Sequence, residues 1–173
     1  MRLKLAAVIL LAVLATTGCG YSTAGKTTRL PSNVQTIAIP AFINQTQTYR
    51  IEQRLTEAVV REFIDRTKLH IVNEADSEAD ATLHGTIVAA QSTPLTYDSQ
   101  TGRVSSSLVT VNLKVSLVDK KGKVLFDNPN YIYRDQYQVS QQVSSFFQEE
   151  SPALERLSRD LARTLVADIL ERF

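Results

Sequence analysis

One cysteine and two histidines among 173 residues leave little material for disulfides or metal sites. Cys19 has no second thiol to pair with inside the chain, so attachment explains it better than scaffolding does. His84 lies on the polar side of a strand pattern with no Cys, Asp or Glu at ligand spacing. It reads as a surface or edge side chain rather than a metal ligand. Ser105-Ser106-Ser107 has no G-x-S-x-G elbow around it, and neither a Gly-rich phosphate loop nor an H-E-x-x-H helix occurs. Glu149 and Glu150 read as complements to a helix dipole rather than an acid/base pair. Glu74, Asp76, Glu78 and Asp80 read as a solvated loop, since a calcium loop needs a glycine and tighter oxygen alternation. No enzyme, metal or cofactor is expected. Charge of one sign is lacking too: 19 basic side chains face 18 acidic ones. That balance argues against a nucleic-acid partner held by bulk positive charge. Past the N-terminus there is no long apolar run, so no spanning helix is expected.

The N-terminus carries a clear pattern. Arg2 and Lys4 form a basic start, Leu5 to Ala15 an uncharged apolar run, and Thr16-Thr17-Gly18 a small-residue approach to Cys19. That order predicts a secretory signal over residues 1–18, too short to cross a bilayer as a helix. It is similar to a bacterial lipobox, except that Thr16 stands where leucine is usual. On this reading Cys19 is lipidated and becomes the first mature residue, with 19–31 as a lipidated tether. Losing Arg2 and Lys4 leaves 17 basic against 18 acidic side chains, a net of −1.

Residues 32–173 are of the right length for one domain. Gln35 to Phe42 reads as a strand with Ile37 and Ile39 on one face, and Asn44 to Thr48 as a turn. Ile51, Leu55, Val59 and Phe63 recur every fourth residue, predicting a helix over Tyr49 to Lys68, with Ala58 and Ile64 widening its stripe. Thr48 is its expected N-cap. Leu69 to Val72 is a candidate short strand. Three strand patterns then follow. Ala81 to Ser92 places Leu83, Gly85, Ile87 and Ala89 on one face. Leu108 to Asp119 alternates Val109, Val111, Leu113, Val115 and Leu117 against polar residues, the mark of a half-buried antiparallel strand. Val124 to Val139 is interrupted at Asp127 to Asn130 by a bulge or edge irregularity. Thr93 to Arg103 reads as an extended hairpin tip. Ser140 to Glu150 is polar, and Ser151-Pro152 opens a final helix with a leucine stripe from Leu154 to Ile169.

Two amphipathic helices and a sheet with one dry face predict an α+β fold. It is a two-layer α/β sandwich, both helices on one face of a mixed sheet of about four strands, in the order β-α-β-β-β-α. The other face, assigned Thr, Ser, Asn, Lys and Tyr, is left uncovered.

Cys19-Gly20-Tyr21, Leu30-Pro31, the Thr36 to Phe42 strand with Asn44, Ala79 to Ile87, the Val-rich strand and the final helix occur in that order. Together they resemble the LptE-type lipopolysaccharide-assembly lipoproteins over essentially the whole mature chain. The resemblance implies an outer-membrane lipoprotein seated in the LptD-type β-barrel translocon, supporting that barrel and engaging lipopolysaccharide. The Ile37 to Pro40 segment with Asn44 is also similar to penicillin-binding-protein activators and curli-secretion subunits, which carry further strands and helices. Lys114, Arg134, Arg103, Lys120, Lys121 and Lys123, in that order of preference, admit two readings. They solvate and guard exposed strands, or they bind the phosphates of lipid A. Tyr131, Tyr133 and Tyr137 are either strand formers with wet hydroxyls or anchors against the barrel wall. Leu95 and Tyr97 are contact candidates at the hairpin tip.

Overall fold

The alternation of Val109, Val111, Leu113, Val115 and Leu117 is realised in full: each is at most 2% exposed, on a strand running from Val104 to Asp119. The computed structural model describes residues 30, 31, 33–73, 78–138 and 152–172. The signal, Cys19, most of the tether, part of the acidic loop and the Ser140 to Glu150 stretch lie outside the described residues.

In chain order the elements are β1 (Thr36–Ala38), β2 (Ile43–Asn44), α1 (Ile51–Arg66), β3 (His70–Val72), β4 (Ala81–Tyr97), β5 (Val104–Asp119), β6 (Val124–Gln138) and α2 (Pro152–Glu171). The sheet runs β3-β1-β4-β5-β6, with β2 also pairing β4. β1, β2 and β3 form parallel pairs, and β4-β5-β6 is an antiparallel meander. The sheet is therefore mixed, as expected, but it holds six strands rather than about four. One of the extra strands is β2, which begins just past Gln35 to Phe42: β1 ends at Ala38, Pro40 has no N–H to continue a ladder, and pairing with β4 resumes at Ile43. The other is the candidate strand His70 to Val72, which aligns with β1, while the Ile39 N–H donates to the Val72 carbonyl at 2.8 Å.

α1 buries Ile51, Leu55, Val59 and Phe63, and α2 buries Leu157, Leu161, Leu165 and Ile169. All join the inward sheet residues in one core cluster. Full burial of each such side chain stabilises by ~1.5–3 kcal/mol relative to exposure. Ile64 does not widen the stripe; it is 56% exposed. Nor does Thr48 cap α1. The helix starts later, after Arg50, whose φ of 56° is left-handed and whose side chain makes no cap. Asn44 organises this turn instead: its Oδ1 accepts Thr46 N–H at 2.8 Å, and its Nδ2 donates to Glu52 Oε2 at 2.8 Å.

Two features of β4 place its side chains. A Cβ on Gly85 would lie 2.5 Å from Phe42 ring atoms, so only glycine lets that ring pack against the strand. A register shift between Ile87 and Ala89 then reverses the strand's phase. Val88 is turned outward and Ala90, not Ala89, packs against the core. A bulge re-aims side chains in just this way. A second shift falls at Leu95, and pairing continues to Tyr97 with Val104, so the unpaired tip is Asp98 to Arg103. In β6 the irregularity expected at Asp127 to Asn130 is present, between the pairs Leu113–Tyr131 and Val115–Asn128.

Candidate functional site

The helices cover the face holding Val109 to Leu117, so the even-numbered side chains of β5 point the other way. Register places Thr86 beside Lys114, Asn112 beside Ile132, and Thr110 beside Arg134 on that second face. Among the described residues no helix packs on it. Lys114, Arg134 and His84 are exposed there. Ile43, Val88 and Ile132 add exposed apolar area at 61, 38 and 42%. The wet face is thus cationic, rich in hydroxyl and carboxamide groups, and crossed by an apolar row.

Lys114 and Arg134 share this face, separated by about four residues of strand and one strand spacing, roughly 14 Å. Both cations therefore reach one extended ligand without competing for the same group. Arg103 belongs to the hairpin tip, where its carbonyl accepts the Asp98 N–H at 2.8 Å. That turn is wound around Asp98, whose Oδ1 accepts the N–H groups of Gln100 and Thr101. Hydrogen bonds from Thr101, first its backbone and then its hydroxyl, hold the Asp98 carboxyl below its ordinary range. Lys120, Lys121 and Lys123 occupy the β5–β6 turn at the opposite end of a 16-residue strand, roughly 50 Å away. The six cations do not form one cluster.

Lys120 has a structural task. Its Nζ donates to Asp80 Oδ1 at 2.9 Å, while Asp80 Oδ2 accepts the N–H groups of Gln35 at 2.9 Å and Thr36 at 3.1 Å. One carboxylate thus ties the entry of β1, the start of β4 and the β5–β6 turn. The Gln35 N–H, then Lys120 and the Thr36 N–H, lower its pKa to about 2.

The tyrosines face inward, a correction to the reading that set them on the uncovered face. Tyr131 and Tyr137 are core residues and Tyr133 packs against them. The Tyr131 hydroxyl donates to Asp168 Oδ2 on α2 at 2.8 Å, and the Tyr133 hydroxyl to Asp135 Oδ2 at 3.2 Å. Burial raises all three phenols, Tyr133 to about 12. The Tyr131 bond fastens α2 to β6, while Tyr133 and Tyr137 fill the core beside it. At the tip Leu95 is 45% and Tyr97 63% exposed.

The sequence reading missed the apolar row and a polar cleft near the tip. Ile132 turns outward because Tyr131 and Tyr133 on either side of it face the core, an assignment that alternation alone does not make. Val88 depends on a bulge, which alternation does not announce either. The cleft, of about 390 Å³, lies where Thr96, Ser106 and Gln138 stand in register across three strands. Thr96 Oγ1 bonds both Ser105 Oγ at 2.8 Å and Ser106 Oγ at 2.6 Å. Among the described residues no three His, Cys, Asp or Glu side chains are placed to hold a metal ion, and no helix is long and apolar enough to cross a membrane.

Three solved structures share this architecture. XCC0632 from Xanthomonas campestris is 13% identical, covering 81% of this chain and 86% of that one, at a TM-score of 0.55. The hypothetical protein CT253 from Chlamydia trachomatis is 11% identical over 79% and 95%, at 0.51. A point variant of PelC from Paraburkholderia phytofirmans, a dodecamer, is 12% identical over 79% and 90%, at 0.50. At such identities the likeness concerns the fold alone. No curated protein matches the chain. The family described as "LptE: Lipopolysaccharide-assembly" matches residues 34–169, from the lead-in to β1 through the last buried position of α2. With α1, every strand and all but the last two residues of α2 inside that match, the chain belongs to the LptE lipopolysaccharide-assembly family.

Proposed function

We propose that this chain is a non-enzymatic outer-membrane lipoprotein, anchored through Cys19, that plugs and supports an LptD-type β-barrel and binds lipopolysaccharide on its way to the outer leaflet. The observation that carries this reading is the family match across the folded body. The open, cationic sheet face supports it, because it leaves one broad surface for a partner while the other is taken by helices.

The anchor follows from chemistry at Cys19. Each acyl methylene buried in the bilayer contributes ~0.8 kcal/mol, and more than one chain makes the attachment stable. The folded body then hangs from a short tether with its sheet face available. Lys114 and Arg134 meet the phosphates of lipid A through charge-assisted hydrogen bonds, which are stronger than neutral ones. Arg134 adds a planar fork suited to bidentate contact. Ile43, Val88 and Ile132, with Leu95 and Tyr97 at the tip, supply apolar contact to the barrel wall. Tyr131, Tyr133 and Tyr137 pack in the core instead, with Tyr131 bonded to α2.

Mild-detergent extraction of outer membranes followed by affinity capture of the full chain tests the proposal. An outer-membrane barrel recovered in stoichiometric amount is expected. A chain captured alone, from membranes in which the barrel is abundant, refutes the plug. Mass spectrometry of the mature N-terminal peptide tests the anchor independently; an unmodified Cys19 removes it.

A further inference from the structure

The sheet ends on one side in β3, three residues long, and on the other in β6, fifteen residues long. A long edge strand offers its outward N–H and C=O groups to any other chain that can add a strand. We infer that β6 is kept from pairing with a second copy of this chain by a set of side-chain caps distributed along that edge.

Register shows which groups point outward. From Ser106–Gln138 to Leu113–Tyr131 the β5–β6 pairing is unbroken, so outward backbone groups recur at alternate residues. The Gln136 N–H bonds Asp135 Oδ1 at 2.7 Å rather than β5, which puts Gln136, Arg134 and Ile132 in the outward set. The irregularity below Tyr131 reverses the parity. Accordingly the Asp127 carbonyl points out, where Arg172 Nη1 donates to it at 3.2 Å. The same guanidinium lies 5.4 Å from the centre of the Phe126 ring, which holds it in place. Between these points Pro129 has no N–H to offer, and the Asn130 N–H is taken by Asn128 Oδ1 at 3.1 Å.

Caps therefore stand at Asp127, Asn130 and Gln136, with proline among them. Among the described residues between those caps, only Ile132 and Arg134 keep an outward N–H that no side chain covers. A two-fold axis through Tyr133 would set Ile132 of one copy opposite Arg134 of the other, an isologous antiparallel pairing. With the caps in place that pairing is confined to this short window, too little to offset the entropy of association. Without them it extends in both directions. The caps leave face-on docking as the mode open to a partner, whichever ligand the face takes.

The test uses the full chain in mild detergent. Amide hydrogen exchange of the wild type is read first; the Ile132 and Arg134 amides are expected to exchange rapidly in the monomer. Protection there at monomeric concentrations means the edge is already covered, and overturns the inference. The triple variant Asn128→Ala/Asp135→Ala/Arg172→Ala is then compared with wild type by sedimentation. Dimerisation at least tenfold tighter is expected, and adding Ile132→Pro, which deletes an outward N–H without touching β5, should restore the monomer. A triple variant that stays monomeric with native circular dichroism, or a dimer indifferent to Ile132→Pro, refutes the idea. The three single variants are measured as well. Each is expected to tighten self-association by a smaller factor, and no change in any of them is equally fatal.

Discussion

Replacing Lys114 and Arg134 by alanine, singly and together, separates a binding face from a merely solvated one. A hydrogen bond to a charged group contributes ~1.5–3 kcal/mol, and the lower end applies at these exposed positions. Each single variant should then weaken lipopolysaccharide binding about tenfold, since ~1.4 kcal/mol is a factor of ten. The side chains stand roughly 14 Å apart along and across the sheet. That exceeds the ~8 Å screening length at physiological salt, so their effects should add and the double variant should lose about a hundredfold. Lys121→Ala, at the far end of β5, serves as the control and should leave affinity within a factor of two. The assay is fluorescence anisotropy of labelled lipopolysaccharide against the detergent-solubilised chain, repeated at two salt concentrations. The wild type should weaken more steeply with salt than the double variant. A double variant no weaker than either single, or a Lys121 control as damaging as Lys114, refutes the assignment of this face.

Three further expectations concern the scaffold. Gly85→Ala should destabilise by ~1–3 kcal/mol through overpacking against Phe42, measured by urea denaturation. In a Phe42→Leu background the same change should become nearly neutral; equal cost in both backgrounds refutes the ring contact. Asp80 has a folded pKa of about 2 against an ordinary 3.8, so its stabilisation is present above pH 3.8 and lost as pH falls toward 2. Asp80→Asn should lower the melting temperature at pH 7 and flatten that acid limb, and an unchanged limb counts against the tie. Tyr131→Phe removes the bond to the Asp168 carboxylate at a cost of ~1.5–3 kcal/mol, seen as faster amide exchange in α2.

Periodicity made the sandwich legible, because burial acts on faces and faces repeat. The stripe Ile51, Leu55, Val59, Phe63 and the alternation Val109 to Leu117 needed nothing but that rule, and both stand in the core. What escaped depends on events that break the period. Pairing with β4 lapses around Pro40 and resumes at Ile43, past the expected strand, and His70 to Val72 counts as a strand only because β1 is there to receive it. The Val88 bulge shifts the side chains of β4 by one face from Ala89 as far as Pro94, where the second shift intervenes. Capping of α1 was misread for a related reason: Thr48 has the right chemistry, but Asn44 reaches further and sets the turn before the helix begins.

The tyrosines carry the clearest lesson for the site. Period two showed that Tyr131, Tyr133 and Tyr137 share a face, yet period alone does not say which face is dry. That was settled by the partner strand: Leu113 opposes Tyr131 and Val111 opposes Tyr133, and cross-strand partners lie on the same side of a sheet. The same pairing turns Ile132 and Arg134 outward together. Assigning the aromatic residues to the core thus defines the open face, and it leaves that face with cations and small polar groups instead of large rings. A partner meeting it must supply complementary negative charge and hydroxyl groups, with apolar contact centred on the row of Ile43, Val88 and Ile132. That expectation is directional: substituting the row by serine should weaken barrel capture while leaving lipopolysaccharide affinity within about twofold, whereas Lys114→Ala with Arg134→Ala should do the reverse. Equal loss of both activities in either set would mean that one undivided surface serves both partners.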